Sequence, residues 1–443
     1  MRLTIRIHTW NDATAAERQR LLERPPALRD DALQSAVLEI VNTVRKGGDA
    51  ALSALTRRFD GVILDSLRVS EEEFDRAERD VTHAALAAIE LSIGNVRRFH
   101  EAQLPVSCDI ETMPGIRCQR VSRPIDCVGL YVPAGSAPLP STAIMLSVPA
   151  AIAECPRRVM CTPPRKNGRA EPSVLAAARR GGVTEIYKVG GAQAIAAMAF
   201  GTESIPKVDK IFGPGNAWVT AAKSLIAAAA DGAAIDMPAG PSEVMVIADS
   251  SASAEFVAAD LLSQAEHGSD SQVLLVTTNR SLADEVFEQI ERQLPRLARR
   301  SIAAEAMRQS RFIVAHDVTE AAEISNAYAP EHLILQIDNP RGILPAIRNA
   351  GSVFLGPWSP ESAGDYCSGT NHVLPTSGYA RSFSGLSVDE FMRRMTVQEL
   401  SEAGLRSIAG PITELASLEG LDAHAAAVTC RTQAGDTVPG SPD

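Results

Sequence analysis

The 443-residue sequence predicts an α/β protein with two parallel, doubly wound sheets and a mainly helical tail. Three observations lead there. From residue 244 onward, short apolar runs alternate with helix-period segments: "VMVIAD" (244–249), "QVLLVT" (272–277), "RFIVAH" (311–316), "HLILQI" (332–337) and "GSVFLG" (351–356). An earlier block repeats the alternation with "CVGLYV" (127–132), "RRVMCT" (157–162), "EIYKVG" (185–190) and "KIFG" (210–213), each leading to a helical segment, over 141–154, 172–181, 191–200 and 216–230. Residues 26–100 and 385–430 carry helical periodicity.

Each of these elements has a physical reason. The strand candidates are too short for helices, and continuous apolar runs suit strands buried on both faces, as parallel strands covered by helices are. Strands joined by helices of this length run parallel, and such sheets place ligand chemistry at their carboxyl ends. The helical stretch over 26–100 can cover a sheet face, and that over 385–430 forms a separate tail. The last residues, "TQAGDTVPGSPD", are expected to fray.

Composition narrows the function. Hydrophobic residues make up 45% and charged residues 22%, ordinary usage for a soluble globular chain. The net charge is −11 with no sustained basic block, so neither nucleic acid nor an anionic membrane has an electrostatic foothold, and a small-molecule partner is expected. Seven cysteines, odd in number and without a CxxC pair, argue against a disulfide framework and a thiolate zinc site, and fit a reducing cytoplasm. The N-terminus lacks a signal-peptide core, and no window approaches the roughly 20 apolar residues of a membrane span.

Several side chains are candidates for chemistry. Gln264 and His267 in "SQAEHGSDSQ" are spaced i, i+3, which stacks them on one helix face; they are either a polar helix end or half of a metal site. Glu331 and His332 in "YAPEHLIL" open a strand and are either an acid/base pair or two exposed loop residues. The irregular "ESAGDYCSGTNHVLPTSG" (361–378) carries Asp365, an oxygen ligand for a divalent ion, and His372, unless it is a simple turn. Glu419 and His424 are five apart near a tail helix, where a helix N-terminal carboxylate and a surface histidine are the favoured reading of the residues alone. "LYVPAGSAPLPST" (130–142), "VGGAQAIAA" (189–197) and "IFGPGNAWVTAAK" (211–223) each link a strand to a helix whose free N–H groups can receive a phosphate. None is GxGxxG, and no acidic residue stands at the usual offset for a ribose.

Read together and in order, "GLYVPAGSAPLPST", "VGGAQAIAA", "VDKIFGPGNAWVTAAK", "DMPAGPSEV", "DLLSQAEHGSDSQ", "PEHL", "GSVFLGPWSPESAGDYCSGTNHVLPT" and "MTVQEL" resemble the histidinol dehydrogenase family, from about residue 5 to 431. The resemblance implies two NAD-linked oxidations of L-histidinol to L-histidine through L-histidinal, the last step of histidine biosynthesis. It implies one Zn²⁺ per subunit, a cytoplasmic homodimer with shared active sites, and two incomplete Rossmann-like sheets related to aldehyde dehydrogenase architecture.

The same resemblance implies domains of 26–130 with 242–381 for zinc, substrate and catalysis, 131–241 for NAD, and 1–25 with 382–443 as a small, mainly helical domain exchanged in the dimer. Gln264, His267, Asp365 and His424 would ligate zinc, His424 from the partner subunit. Glu331 and His332 would be the proton acceptors; Tyr131, Gln193 and Asn216 would contact NAD. Ser242, Gln264, His267, His332, Asp365, His372, Glu419 and His424 would line the substrate pocket. Two departures stand out: Ala134 replaces the first glycine of the family's "PGG", and "PRKNGRAEP" (164–172) is an insertion. A zinc hydrolase using Glu331 and metal-activated water leaves the three nucleotide-type turns without a purpose, and a non-catalytic descendant would have lost the proton acceptors.

Overall fold

The computed structural model describes residues 5–24, 31–134, 137–238 and 240–433. The chain forms two compact units. The larger comprises residues 1–103 and 125–391, the smaller 104–124 and 392–443, within those described ranges.

The larger unit contains both parallel sheets. The six-stranded sheet runs in the order Ile7–Thr9, Arg311–Val314, Gln272–Thr277, Glu243–Ala248, His332–Gln336, Ser352–Leu355, and every pairing is parallel. Its strands are apolar on both sides because both faces are covered. Val244, Val246, Val273, Leu275 and Ile334 pack with the helices Ala254–Ala265 and Arg280–Gln293. The alternate residues Met245, Ile247, Leu274, Val276 and Leu333 pack on the opposite face with Val318–Tyr328. Each such fully buried side chain contributes about 1.5–3 kcal/mol.

The five-stranded sheet runs Glu185–Tyr187, Arg157–Cys161, Cys127–Tyr131, Lys210–Phe212, Ala234–Ile235, again parallel. The expected helices appear as Pro140–Ile152, Pro172–Arg180, Gly191–Phe200 and Ala217–Ala228. The helical stretch over 26–100 resolves into Asp31–Phe59, Glu71–Asp80 and His83–Glu101. Gly48, at φ 51°, breaks the first of these, where the sequence places two consecutive glycines.

The smaller unit corrects two expectations. The tail is not helical throughout, because Met392–Leu400 is a strand in a three-stranded antiparallel sheet with Ile116–Pro124 and Cys108–Met113. "MRRMTVQEL" has no buried stripe to hold a helix, since Arg393 through Leu400 are all exposed; nine pairings, Met392 with Pro124 through Leu400 with Ile116, decide it. Helices follow at Glu402–Leu418 and Asp422–Gln433. The domain boundaries shift accordingly: residues 104–124 join the tail through these pairings, whereas Ile7–Thr9, expected with the tail, pairs with Phe312–Val314 in the six-stranded sheet. Of the frayed end expected over 432–443, residues 434–443 lie outside the described residues.

Candidate active site and metal centre

The carboxyl-end rule holds for one sheet and fails for the other. In the five-stranded sheet, Tyr131 ends its strand, Gly190–Gly191 follow another, and Gly213–Asn216 follow a third, each turn opening a helix. Helix N-termini present free N–H groups and a partial positive charge, which suits phosphates. In the six-stranded sheet the polar candidates gather at the amino edge. His332 is the first residue of its strand, level with Val244 and Ser352, and Gln264 and His267 sit at the C-terminal end of the helix Ala254–Ala265. A helix C-terminus carries partial negative charge, which suits a cation.

Glu331 and His332 are not exposed loop residues; they are 6% and 4% exposed. The turn that buries them is strained, since Ala329 caps the helix Val318–Tyr328 in the left-handed region at φ 56°. Glu331 Oε2 accepts a hydrogen bond from the Glu243 N–H at 2.8 Å. Burial pushes its carboxyl up to about 8, against the pull of His332.

His332 Nδ1 lies 3.0 Å from the Glu243 carbonyl and 3.0 Å from the Gln264 amide nitrogen. With Nδ1–H donated to that carbonyl, Nε2 carries the lone pair whenever the ring is neutral; it is buried, has no hydrogen-bond partner among the described residues, and lies 3.7 Å from Asp365 Oδ1. Burial lowers the basicity of His332, but the carboxylates of Glu361, Glu331 and Asp365 outweigh burial and raise it well above the ordinary value.

Glu243, which holds both residues through its backbone, is itself anchored. Its carboxylate is buried against Arg24, with Nε to Oε1 at 2.5 Å and Nη2 to Oε2 at 2.8 Å, and the Ser377 N–H donates to Oε1 at 2.9 Å. The Arg24 guanidinium stacks 3.8 Å over Tyr328. Ser242 directly precedes Glu243, and its carbonyl accepts from the Gln272 N–H at 3.0 Å.

The segment "ESAGDY" is helical rather than irregular, over Glu361–Tyr366, which puts Glu361 and Asp365 on one face at i, i+4. Ligand atoms of His267, Glu361 and Asp365 all lie within 4.8 Å of one another. Glu361 Oε2 is buried without a partner among the described residues, and burial pushes its carboxyl up to about 8. The imidazoles of His332, His372 and His267 outweigh burial at Asp365 and hold its carboxyl below the usual range. His372 Nδ1 donates to the Asp365 carbonyl at 3.0 Å, and its Nε2 is 3.2 Å from Thr142 Oγ1. An imidazole and two carboxylates in this arrangement fit a divalent ion, and an orphaned buried oxygen is what such an ion would satisfy.

A cavity of about 1460 Å³ joins this cluster to the turns of the five-stranded sheet, lined among others by Tyr131, Gln193, Asn216, His267, Glu361 and Asp365. The Tyr131 hydroxyl accepts from the Gly191 N–H at 2.9 Å, and Asn216 caps its helix by accepting from the Trp218 and Val219 N–H groups. Gly213 must be glycine: its φ is 125°, and a Cβ would meet the Tyr131 carbonyl at 2.2 Å. Ala134 lines the same cavity, while residues 135–136 of that turn lie outside the described residues.

The structure therefore brings together Gln264, His267, Glu331, His332, Asp365 and His372, with Tyr131, Gln193 and Asn216 on the shared cavity. Glu419 and His424 belong to the smaller unit. Glu419 caps the helix Glu402–Leu418 and His424 lies in the first turns of Asp422–Gln433, so a break at Gly420 separates them. Sequence reasoning missed Glu361, Glu243 and Arg24. Only Glu361 left a signal, its i, i+4 spacing from Asp365 after a proline.

The histidinol dehydrogenase family model matches residues 23–432. Histidinol dehydrogenases from Vibrio vulnificus (strain YJ016) and from Escherichia coli O157:H7 are each 52% identical, covering 97% and 96% of this chain and 99% and 97% of theirs. The crystal structure of histidinol dehydrogenase from Elizabethkingia anophelis matches with a TM-score of 0.93 at 47% identity, covering 98% of this chain and 99% of that one. The buried His332 imidazole stands 3.7 Å from Asp365 of an acidic cluster that shares one cavity with nucleotide-type turns, in a chain matched along nearly its whole length: it belongs to the histidinol dehydrogenase family of oxidoreductases.

Proposed function

We propose that the protein oxidises L-histidinol to L-histidine in two NAD-linked steps through L-histidinal, with one zinc per subunit, as a cytoplasmic homodimer. The observation that carries this reading is the buried His332 ring, with Glu331 3.6 Å from Nδ1 and with Nε2, unpartnered among the described residues, 3.7 Å from Asp365 of the acidic cluster. Gln264, His267, Asp365 and His424 of the partner subunit would hold the zinc, with the Glu361 carboxyl beside it. Bound there, the ion would orient the substrate's imidazole and amino nitrogens and cancel the carboxylate field that otherwise keeps His332 protonated.

His332 then takes the hydroxyl proton at Nε2 as hydride leaves for the nicotinamide, while the Glu243 carbonyl keeps Nδ1–H in place. Glu331 serves the second oxidation by deprotonating the water that adds to the aldehyde; a carboxyl near 8 is a competent base close to neutrality. Tyr131, Gln193 and Asn216 hold NAD at their strand–helix turns. Ser242, His372 and the partner's Glu419 and His424 complete the substrate pocket. The smaller unit supports pairing with a second copy, because Leu415 and Leu418 are 61% and 76% exposed.

The test is NADH absorbance with histidinol. Two NADH per histidinol, abolished by a chelator and restored by zinc, are expected; NADH production indifferent to chelation refutes the metal, and none at all refutes the function. Mixing His424→Asn protein with Glu331→Gln/His332→Asn protein is expected to restore activity by subunit exchange, and no recovery in verified heterodimers removes the shared site.

A further inference from the structure

The cavity holds a second orphaned carboxylate, remote in sequence from the catalytic cluster. Asp60 follows the helix Asp31–Phe59 and lines the cavity beside Phe59, Tyr131, Gly190 and Gly191. Its Oδ2 is shut off from water and has no hydrogen-bond partner among the described residues. Burial raises the carboxyl above its usual range, and the charged group acting on it is Lys166. It stands close enough to Tyr131 to help raise that hydroxyl's pKa. A buried acceptor without a donor is costly, so a group that donates hydrogen bonds is what the site lacks.

The neighbours say which donor. Phe59 is 46% exposed and offers the cavity an apolar ring beside the carboxylate. The two basic residues of the inserted loop that line the cavity are already engaged: Arg165 with Glu171 at 3.3 Å, and Lys166 with the Asp60 carbonyl at 3.0 Å. An aromatic ring next to a carboxylate oxygen that lacks a hydrogen-bond donor matches a purine nucleoside with vicinal hydroxyls, and a carboxylate repels a phosphate at the same position.

We propose that Asp60 accepts the adenosine-ribose hydroxyls of NAD and, by repelling a 2′-phosphate, selects NAD over NADP; this rests on the reading above that a nicotinamide dinucleotide occupies the cavity. The acidic residue that sequence spacing does not reveal is thus supplied from a helix end about seventy residues before the first nucleotide-type turn.

Steady-state kinetics of wild type, Asp60→Asn and Asp60→Ser with NAD, NADP and NAD carrying a 2′-deoxyadenosine test this. Losing a charged hydrogen bond is expected to raise KM for NAD about tenfold or more, with KM for NADP falling and KM for histidinol steady. Wild type is expected to lose about tenfold with the deoxy cofactor, and the variants to lose little, since the hydroxyl's partner is already gone. Wild type that uses NADP as readily as NAD, or that ignores the missing hydroxyl, overturns the proposal even if the variants do not fold. So does an unchanged KM for NAD in both variants. Wild type that forms no NADH from histidinol refutes the function itself, a separate result.

Discussion

Lys223 and Asp236 form a buried ion pair beneath the Gly213 turn, with side chains 4% and 0% exposed. Lys223 Nζ donates to the Gly213 carbonyl at 3.0 Å, and Asp236 accepts from the Gly213 N–H at 2.8 Å and the Met237 N–H at 2.7 Å. Both backbone groups of Gly213 are therefore pinned by one pair, three residues before Asn216. Lys223→Met removes the cation and leaves the carboxylate in the interior. Breaking a buried pair on one side costs about 3–5 kcal/mol, and the lower figure applies because two N–H groups still hold Asp236. If that cost is local, opening of the turn rises by more than about a hundredfold. Hydrogen exchange on the peptide containing Gly213 reads the opening, and KM for NAD is expected to rise while KM for histidinol does not. Adding Asp236→Asn removes the stranded charge and is expected to return at least about 1 kcal/mol. Lys223→Met exchanging like wild type, with KM for NAD unmoved, would refute the claim that this pair holds the turn.

The other predictions concern the acidic cluster. His332→Asn is expected to suppress the alcohol oxidation, whereas Glu331→Gln slows histidinal oxidation more than histidinol oxidation; equal losses in both half-reactions remove the division of roles. Glu361→Gln is expected to weaken zinc retention by about tenfold or more, read as metal content after dialysis, and full retention rules the carboxylate out of the site. Asp260, buried and bonded at 2.7 Å by Gln336 Nε2, has its carboxyl raised to about 6 by burial. A raised carboxyl contributes stability below its unfolded value, and that contribution is lost as pH climbs through about 6, by up to about 3 kcal/mol. Asp260→Asn is therefore expected to be more stable than wild type at pH 7, with the advantage gone by pH 4; a constant difference across that range removes the argument.

Much of the site was legible because its signals are local. Gln264 and His267 are three apart at a helix end, which keeps them close whatever the rest of the chain does, and a strand followed by glycine and a helix offers a phosphate-type turn. Apolar runs such as "QVLLVT" announced strands covered on both faces, and Gln272–Thr277 is one. "MRRMTVQEL" carried no comparable signal, because its conformation depends on a partner strand nearly 280 residues earlier.

The sequence alone determined the alternation of strands and helices and the residue types that could bind a cation, since backbone geometry and side-chain chemistry act over a few residues. Tertiary structure decided which edge of each sheet faces the cavity, and hence that the C-terminal end of the helix Ala254–Ala265 meets the acidic cluster while helix N-termini meet the nucleotide-type turns. It also recruited Glu361, Arg24, Glu243 and Asp60, whose roles come from burial and from neighbours distant in the chain. Desolvation and long-range pairing have no local signature, because the same carboxylate in an exposed loop would be an ordinary one.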